Sequence, residues 1–123
     1  MAAGKQAGEY SFKFTSFTLT PGPAGSTLVQ GNCEGSVAGY GTLIATATFV
    51  GGKSGTYTGC GITYLDNGDQ VSGTIVGGTY ESTGKHRWRT QHVSQYSDGS
   101  SGISEGEIDL ATRTWTAEVF EQS

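Results

Sequence analysis

Turn signals recur along this chain at intervals of roughly 10 to 15 residues, and they constrain its fold more than any other feature. PGPAG at 21–25 is the strongest breaker, and GGKSG at 51–55, DNGD at 66–69, SDGS at 97–100 and ATRT at 111–114 mark tight connections. Gly, Pro, Asn and Asp supply the backbone conformations that such turns need. The segments between the turns are therefore expected to be short, with successive segments antiparallel.

Those segments have the composition of β-strands. No 3.6-residue apolar period lasts for more than about one turn, so no long helix is predicted. The chain contains 21 Gly among 123 residues, which suits short strands and tight turns. The predicted strands cover residues 10–19, 26–35, 42–50, 56–65, 70–77, 85–96, 102–110 and 115–121.

Eight short antiparallel strands predict an all-β fold, a closed meander barrel with a central cavity, and a β-sandwich is the alternative. The apolar alternation of the first strand shifts at Thr15 and Ser16, which predicts a β-bulge there. Residues 1–9 are expected to be a disordered lead-in, and 10–123 a single barrel domain.

Charge and hydropathy exclude several classes of partner. The net charge is −4 and no basic stripe is present, which argues against nucleic acid. No apolar run reaches the roughly 18 residues of a membrane span. The N-terminus lacks the apolar core of a secretory signal, so a cytoplasmic protein is expected unless a leader was removed. Cys33 and Cys60 are expected to be free thiols, and a homo-oligomer is left open.

The strand KHRWRTQHVSQY, residues 85–96, is polar on both faces, so its orientation decides what fills the barrel. Pairing across the SDGS turn sets Arg89 opposite Asp109 and Gln91 opposite Glu107. Opposite charges side by side belong in water, because burying them costs several kcal/mol each. The face predicted to point inward carries His86, Trp88, Thr90, His92, Ser94 and Tyr96.

The other hairpins extend this inner face. Pairing across DNGD sets Tyr64 opposite Val71, and pairing across GGKSG sets Phe49 opposite Thr56. The further residues predicted to point inward are Thr58, Cys60, Ile62 and Trp115, together with the small residues Ala45, Ala47, Gly73, Gly77, Gly106 and Ala117.

So many small inward residues predict a cavity, apolar at one end and polar near residues 85–96. Two other interpretations stay open. The polar groups can form a satisfied network with trapped water, and the glycines can mark barrel corners in a filled, purely structural domain.

His92 is the candidate proton carrier, because its ordinary pKa is near physiological pH and it is predicted to face Gly106. The phenols of Tyr96 and Tyr64 can donate to a developing oxyanion, and Trp88 can stack on a substrate. The remaining predicted substrate-binding residues are His86, Cys60, Thr90, Ser94, Phe49, Ile62 and Trp115.

No metal and no cofactor are predicted. His86 and His92 are separated by roughly 20 Å along a strand, so they cannot share an ion. Cys60 is the only obvious soft ligand near them, and no GxSxG nucleophile motif is present.

Residues 49–89 resemble the allene oxide cyclase-like barrel group. The shared order is F-x-G-G, then G-x-Y-x-G-x-G and a hairpin, then V-G-G-T-Y-E-S-T-G leading into a polar strand. The resemblance implies a calycin-like barrel with a ligand in its mouth, in a group that includes cyclases of oxygenated fatty acids. No catalytic residue of that group matches a position here.

These patterns together predict a cofactor-free enzyme of the isomerase, cyclase or lyase type. Its substrate would be a partly apolar organic molecule held inside the barrel. A non-catalytic barrel that binds or carries a small ligand is the alternative, with the same side chains only orienting the ligand.

Overall fold

A computed structural model of the chain describes residues 6–37 and 41–121. Each strand pairs antiparallel with the next, and the last pairs with the first, so eight strands close into a barrel in meander order. This confirms the predicted fold class. The strands are β1 Gln6–Pro21, β2 Thr27–Val37, β3 Gly41–Gly51, β4 Ser54–Leu65, β5 Gln70–Gly84, β6 Arg87–Tyr96, β7 Ser101–Asp109 and β8 Thr114–Glu121.

The only helical segment among the described residues is a 3-10 turn, Pro23–Gly25, between β1 and β2. The described part of the chain therefore contains no helix long and apolar enough to cross a membrane.

The first strand begins earlier than predicted and carries the predicted bulge. Glu9 pairs with Glu118 of β8, so residues 6–9 belong to β1 and the predicted disorder there is wrong. Residues 1–5 of that predicted lead-in lie outside the described part of the chain. The register between β1 and β2 shifts between Phe14 and Ser16, which confirms the bulge.

The fifth strand continues through residues 77–84, which the sequence predicted as a connection. Register shifts between Val76 and Thr79 and between Ser82 and Gly84 let β5 bend and go on pairing with β6. The connection is then a short turn that contains His86, whose φ is 59°. His86 is exposed in this turn, so the prediction that it points into the barrel is wrong.

The fourth strand presents the face opposite to the one predicted. Leu65 N–H donates to Asp69 O at 2.8 Å, and Gly68 N–H donates to Leu65 O at 2.9 Å, which closes a three-residue loop. The prediction assumed an even number of loop residues. Tyr64 consequently pairs with Gln70 instead of Val71, and a slip of one residue turns every side chain of a strand to the other face.

Aromatic rings fill one half of the interior. Trp115 is 3% exposed and lies 6.0 Å from Phe14, 5.8 Å from Phe49 and 5.6 Å from Tyr57, measured between ring centroids. Several glycines face these and other rings: Cβ atoms built on them would meet ring atoms at 2.8 Å (Gly31 and Phe14), 2.9 Å (Gly78 and Tyr57) and 3.1 Å (Gly73 and Tyr96). The small residues therefore accommodate rings more than they leave empty space.

Candidate functional site

The sixth strand has the orientation that the sequence predicts. Arg87 and Arg89 point outward and form ion pairs, Arg87 with Asp109 at 3.2 Å and Arg89 with Glu81. The opposite face lies inside the barrel, with Thr90 2% and Ser94 9% exposed and His92 half-buried. Trp88 and Tyr96 are half-buried on the same inward face.

The pairing of β6 with β7 differs from the prediction by two residues. His92 lies opposite Ser104, and Gly106 lies opposite Thr90. The predicted partner of His92, Gly106, is therefore wrong. A shift of two residues keeps each side chain on its predicted face, so the inward orientation of His92 is unaffected.

Three residues predicted for the site on β4 lie elsewhere. The side chain of Tyr64 is on the outer face and 42% exposed, so it cannot stabilise an oxyanion inside the barrel. Cys60 is exposed, and Ile62 shares the outward alternation of β4. Because Gly61 faces inward without a side chain, the backbone at Cys60 and Ile62 forms part of the cavity wall. The predicted inward position of Thr58 is wrong for the same one-residue reason.

Tyr57 takes the interior place that the sequence assigned to its neighbours on β4. It is 1% exposed, and its hydroxyl lies 2.6 Å from His92 Nδ1. Burial raises the pKa of Tyr57 well above its ordinary value, an effect that a hydrogen bond from the Thr90 side chain opposes. Tyr57 is therefore a protonated phenol. An odd-numbered loop at DNGD or GGKSG is the signal that would have identified it.

A chain of hydrogen bonds connects the ring cluster to His92. The Trp115 indole can only donate, and its Nε1–H donates to Thr90 Oγ1 at 3.0 Å. The Thr90 side chain also bonds to the Tyr57 hydroxyl, which lies 2.6 Å from His92 Nδ1. His92 Nε2 lies 3.0 Å from Ser94 Oγ, so both ring nitrogens are hydrogen-bonded, and the tautomer of the neutral imidazole sets which of them donates.

His92 is neutral at physiological pH. Burial lowers its pKa from 6.5 to about 4, because the charged form is poorly solvated inside the barrel. Both ring nitrogens have hydrogen-bond partners, so the imidazole reaches the rest of the interior through the Ser94 hydroxyl.

A cavity of about 90 Å³ lies beyond this chain, with Trp115 and Phe12 of the ring cluster on one wall, so the predicted site residue Trp115 does line it. Ligand pockets usually measure about 300–1,000 Å³, and an apolar cavity of about 150 Å³ holds benzene. The cavity is thus smaller than the small-residue pattern predicted, and its size suits a few water molecules or a ligand of a few heavy atoms. Its inward-facing lining includes Cys33, Leu43, Ala45, Gly61, Thr63, Val71, Gly73, Ile75, His92, Ser94, Tyr96, Ser104 and Val119.

Ser104 is the least satisfied polar group of this lining. It is 5% exposed, and within the described residues its hydroxyl has no hydrogen-bond partner. It lies directly across from His92 on the neighbouring strand. Two inward hydroxyls, those of Ser94 and Ser104, therefore flank the imidazole at the cavity.

A larger depression lies on the outer surface, and His92 is not among its lining residues. It is an open groove of about 1390 Å³ between rows of outward polar side chains that include Glu81, Arg89 and Glu105. Its walls include solvated ion pairs and carboxylates, so the interior cavity beside His92 is the better candidate for a ligand site.

Neither cysteine offers an activated thiol inside the barrel. Burial raises the pKa of Cys33 to about 12, so its thiol stays protonated. Cys60 is exposed on the outer face, and both thiols are free. Across residues 6–37 and 41–121, no group of three or more His, Cys, Asp or Glu side chains could hold a metal ion.

Comparison of the chain with protein-family models, with curated proteins and with solved structures finds no match. The resemblance of residues 49–89 to the allene oxide cyclase-like group therefore stays an expectation from the sequence. The geometry of the cavity alone has to support a function.

Proposed function

We propose that this barrel binds a small uncharged molecule in the cavity beside Ser94 and Ser104. The carrying observation is the Ser104 hydroxyl, which lines the cavity and has no hydrogen-bond partner among the described residues, although the residue as a whole is only 5% exposed. Since no buried side-chain nitrogen or oxygen of the described residues lacks a partner, this hydroxyl is accessible from the cavity, where a water or ligand atom can bond to it.

The electrostatics of the cavity favour a neutral ligand. No Asp, Glu, Lys or Arg lines it. Burial keeps the His92 imidazole and the Cys33 thiol neutral at physiological pH, with pKa values of about 4 and about 12. A charged ligand would be buried without a counter-ion, which costs several kcal/mol. A molecule with one hydroxyl, carbonyl or amide group can bond to the serine hydroxyls, and its short apolar body can contact the apolar side chains of the cavity.

Small probe molecules test this proposal. Isopropanol, acetone and acetamide are titrated separately into ¹⁵N-labelled protein, and amide and imidazole shifts are followed by NMR. We expect saturable shifts at His92, Ser94 and Ser104 for at least one probe. Replacing Ser104 with Ala removes one hydrogen bond and should weaken binding about 5- to 10-fold.

Ser72→Ala, which changes an exposed serine on β5, is the matched control and should leave the affinity unchanged. The binding proposal fails if no probe shifts the cavity residues. It fails also if both serine variants weaken binding equally.

A cofactor-free enzyme is the second candidate, and the order of hydrogen bonds favours it. Tyr57, His92 and Ser94 form a path along which a proton can pass between the imidazole and the cavity. His92 would exchange the proton through Ser94, and the half-buried Tyr96 would donate to the developing oxyanion. Many isomerase, cyclase and lyase reactions include such a proton transfer, and a cyclase is also what the family resemblance implies.

Deuterium exchange tests catalysis without knowledge of the natural substrate. Acetone is incubated with the protein in D₂O, and loss of the C–H signal next to the carbonyl is followed by NMR. A catalytic His92 predicts exchange above the buffer rate and a fall of about 100-fold or more in His92→Gln. Exchange at the buffer rate would reject the enzyme while leaving the binding proposal intact.

A further inference from the structure

The outer faces of β3, β4 and the first half of β5 carry no charged side chain. This neutral face consists of Thr42, Ile44, Thr46, Thr48, Val50, Thr56, Thr58, Cys60, Ile62, Tyr64, Gln70, Ser72, Thr74 and Val76. The outer faces of β6 to β8 carry Arg87, Arg89, Glu105, Glu107 and Glu118. Exposed charges on β1 and β2 include Glu9, Lys13 and Glu34. Glu34 lies opposite Ile44, so the neutral face is a three-strand strip bordered by charge.

The centre of the neutral face is apolar. Ile44 pairs directly with Ile62 across the two strands, and Tyr64 follows Ile62 on the same side of β4. Ile44 is 46% and Tyr64 is 42% exposed. Contiguous exposed apolar side chains of this kind mark interaction surfaces more often than single ones do.

Opposite charges border the two ends of this face. Lys53 lies in the turn between β3 and β4, at one end. Asp66 and Asp69 lie at the other end, between β4 and β5, and all three are exposed. Cys60 is close to the midpoint, seven residues after Lys53 and six before Asp66. Rotation by 180° about an axis through Cys60 therefore brings the Lys53 end over the acidic end.

From this arrangement we infer that the neutral face binds a second copy of the chain, with the two β4 strands antiparallel about a two-fold axis near Cys60. Lys53 then lies near Asp66 of the partner subunit, and the reverse contact repeats at the other end. Threonine hydroxyls both donate and accept, so identical threonine rows can pair with each other. A row of carboxylates cannot pair with an identical row, because like charges repel. Each copy carries a net charge of −4, so two copies meet most favourably through their neutral faces.

The closed barrel limits how the copies associate. At the neutral face, β4 pairs with β3 on one side and with β5 on the other, so no strand can be added there and the contact is face to face. The 12 residues of β4 and its two neighbours span roughly 40 Å by 14 Å. A curved surface of that size makes an interface at the small end of the range, so a weak dimer is expected.

Charge reversal provides the sharpest test. Sedimentation velocity over about a hundredfold range of concentration should detect a dimer of the wild-type chain. Lys53→Glu and Asp66→Lys should each weaken self-association roughly 10-fold, because both ends become repulsive. An equimolar mixture of these two variants should associate more tightly than either alone, since attraction is restored at both ends.

Two further variants locate the contact. Ile62→Glu, in the apolar centre, should weaken the dimer at least about 10-fold, and Thr58→Glu tests the same face without altering an apolar side chain. Thr116→Glu, on the outer face of β8, is the matched control and should change nothing. Melting curves establish that each variant is folded.

The exposed Cys60 thiol reports the same contact directly. Its rate of reaction with a maleimide should fall as wild-type concentration rises, and it should stay constant in Ile62→Glu. A chain that stays monomeric overturns the inference. So does a dimer that leaves Cys60 equally reactive, or one that the mixed charge variants fail to restore.

Discussion

The two halves of the barrel interior are built from different side chains. The ring half, formed by Phe14, Phe49, Tyr57, Tyr80, Trp88 and Trp115, packs aromatic groups around Trp115. The open half, formed by Ala45, Gly61, Gly73, Ser94, Ser104 and Val119, borders a cavity of about 90 Å³ whose opposite wall includes Trp115 and Phe12. His92 lies between them, with Nδ1 toward the first and Nε2 toward the second.

We infer from this difference that the ring half mainly stabilises the fold, whereas the open half mainly serves ligand binding. Dense packing of large rings supplies apolar burial, which is the dominant favourable term in folding. The open half supplies less of it and exposes two hydroxyls to the cavity. We therefore expect substitutions in the ring half to change the free energy of unfolding and those in the open half to change ligand binding.

The largest expected effect is on Trp115. Trp115→Ala removes a ring that is 3% exposed, together with the hydrogen bond to Thr90, and should lower the free energy of unfolding by about 3–5 kcal/mol. Trp88→Ala, which removes a half-buried ring of the same type, is the matched control and should cost clearly less. Urea denaturation measures both. Equal losses would mean that Trp115 is not the centre of the packing.

The next effect is a pH dependence that belongs to His92. Above pH 6.5 the imidazole is neutral in both the folded and the unfolded chain. Below that value the unfolded chain takes up a proton that the folded chain accepts only near pH 4, so stability falls with pH. The loss is about 1.4 kcal/mol per pH unit and amounts to about 3 kcal/mol over this window.

The pH dependence of the free energy of unfolding also contains a contribution from the carboxylates. Comparison with His92→Gln isolates the contribution of His92. The variant should lose the excess slope between pH 6.5 and pH 4. His86→Asn, which changes the exposed histidine in the β5–β6 turn, should retain it. A wild-type slope equal to that of His92→Gln would contradict the burial of the imidazole.

The barrel and the orientation of β6 could be predicted from the sequence, because both depend on features that tolerate small errors. Spaced turns and alternation give the strand order whatever the exact loop lengths. The ion pairs of Arg87 and Arg89 fix the outer face of β6, and an error of two residues in its register left that face unchanged.

The face of β4 could not be predicted, although its turn resembles the one after β6. In the SDGS turn, Tyr96 N–H donates to Ser100 O at 2.9 Å and Gly99 has a φ of 90°. In the DNGD turn, Leu65 N–H bonds to Asp69 O and Gly68 has a φ of 96°. Both are three-residue loops, but β4 has no outward charge that would reveal an error of one residue.

Because of that one-residue error, the sequence prediction did not place Tyr57 inside the barrel. Tyr57→Phe keeps the ring but leaves His92 Nδ1 without its hydrogen-bond partner at 2.6 Å. An unsatisfied buried ring nitrogen should lower the free energy of unfolding by about 1–3 kcal/mol. Tyr64→Phe, on the outer face, should change it by less than about 0.5 kcal/mol. Imidazole ¹⁵N shifts would also show whether His92 loses its fixed tautomer in Tyr57→Phe.

The smallest expected change in the free energy of unfolding is that of Ser104→Ala, in the open half of the interior. Ser104→Ala removes a hydroxyl that has no partner among the described residues, so the free energy of unfolding should change by less than about 0.5 kcal/mol. Ser94→Ala, on the adjacent strand, removes the hydrogen-bond partner of His92 Nε2 and should cost about 1 kcal/mol. If Ser104→Ala proves as costly as Ser94→Ala, the hydroxyl belongs to the folding network of the ring half. A stability change near zero combined with weaker probe binding would assign Ser104 to the ligand.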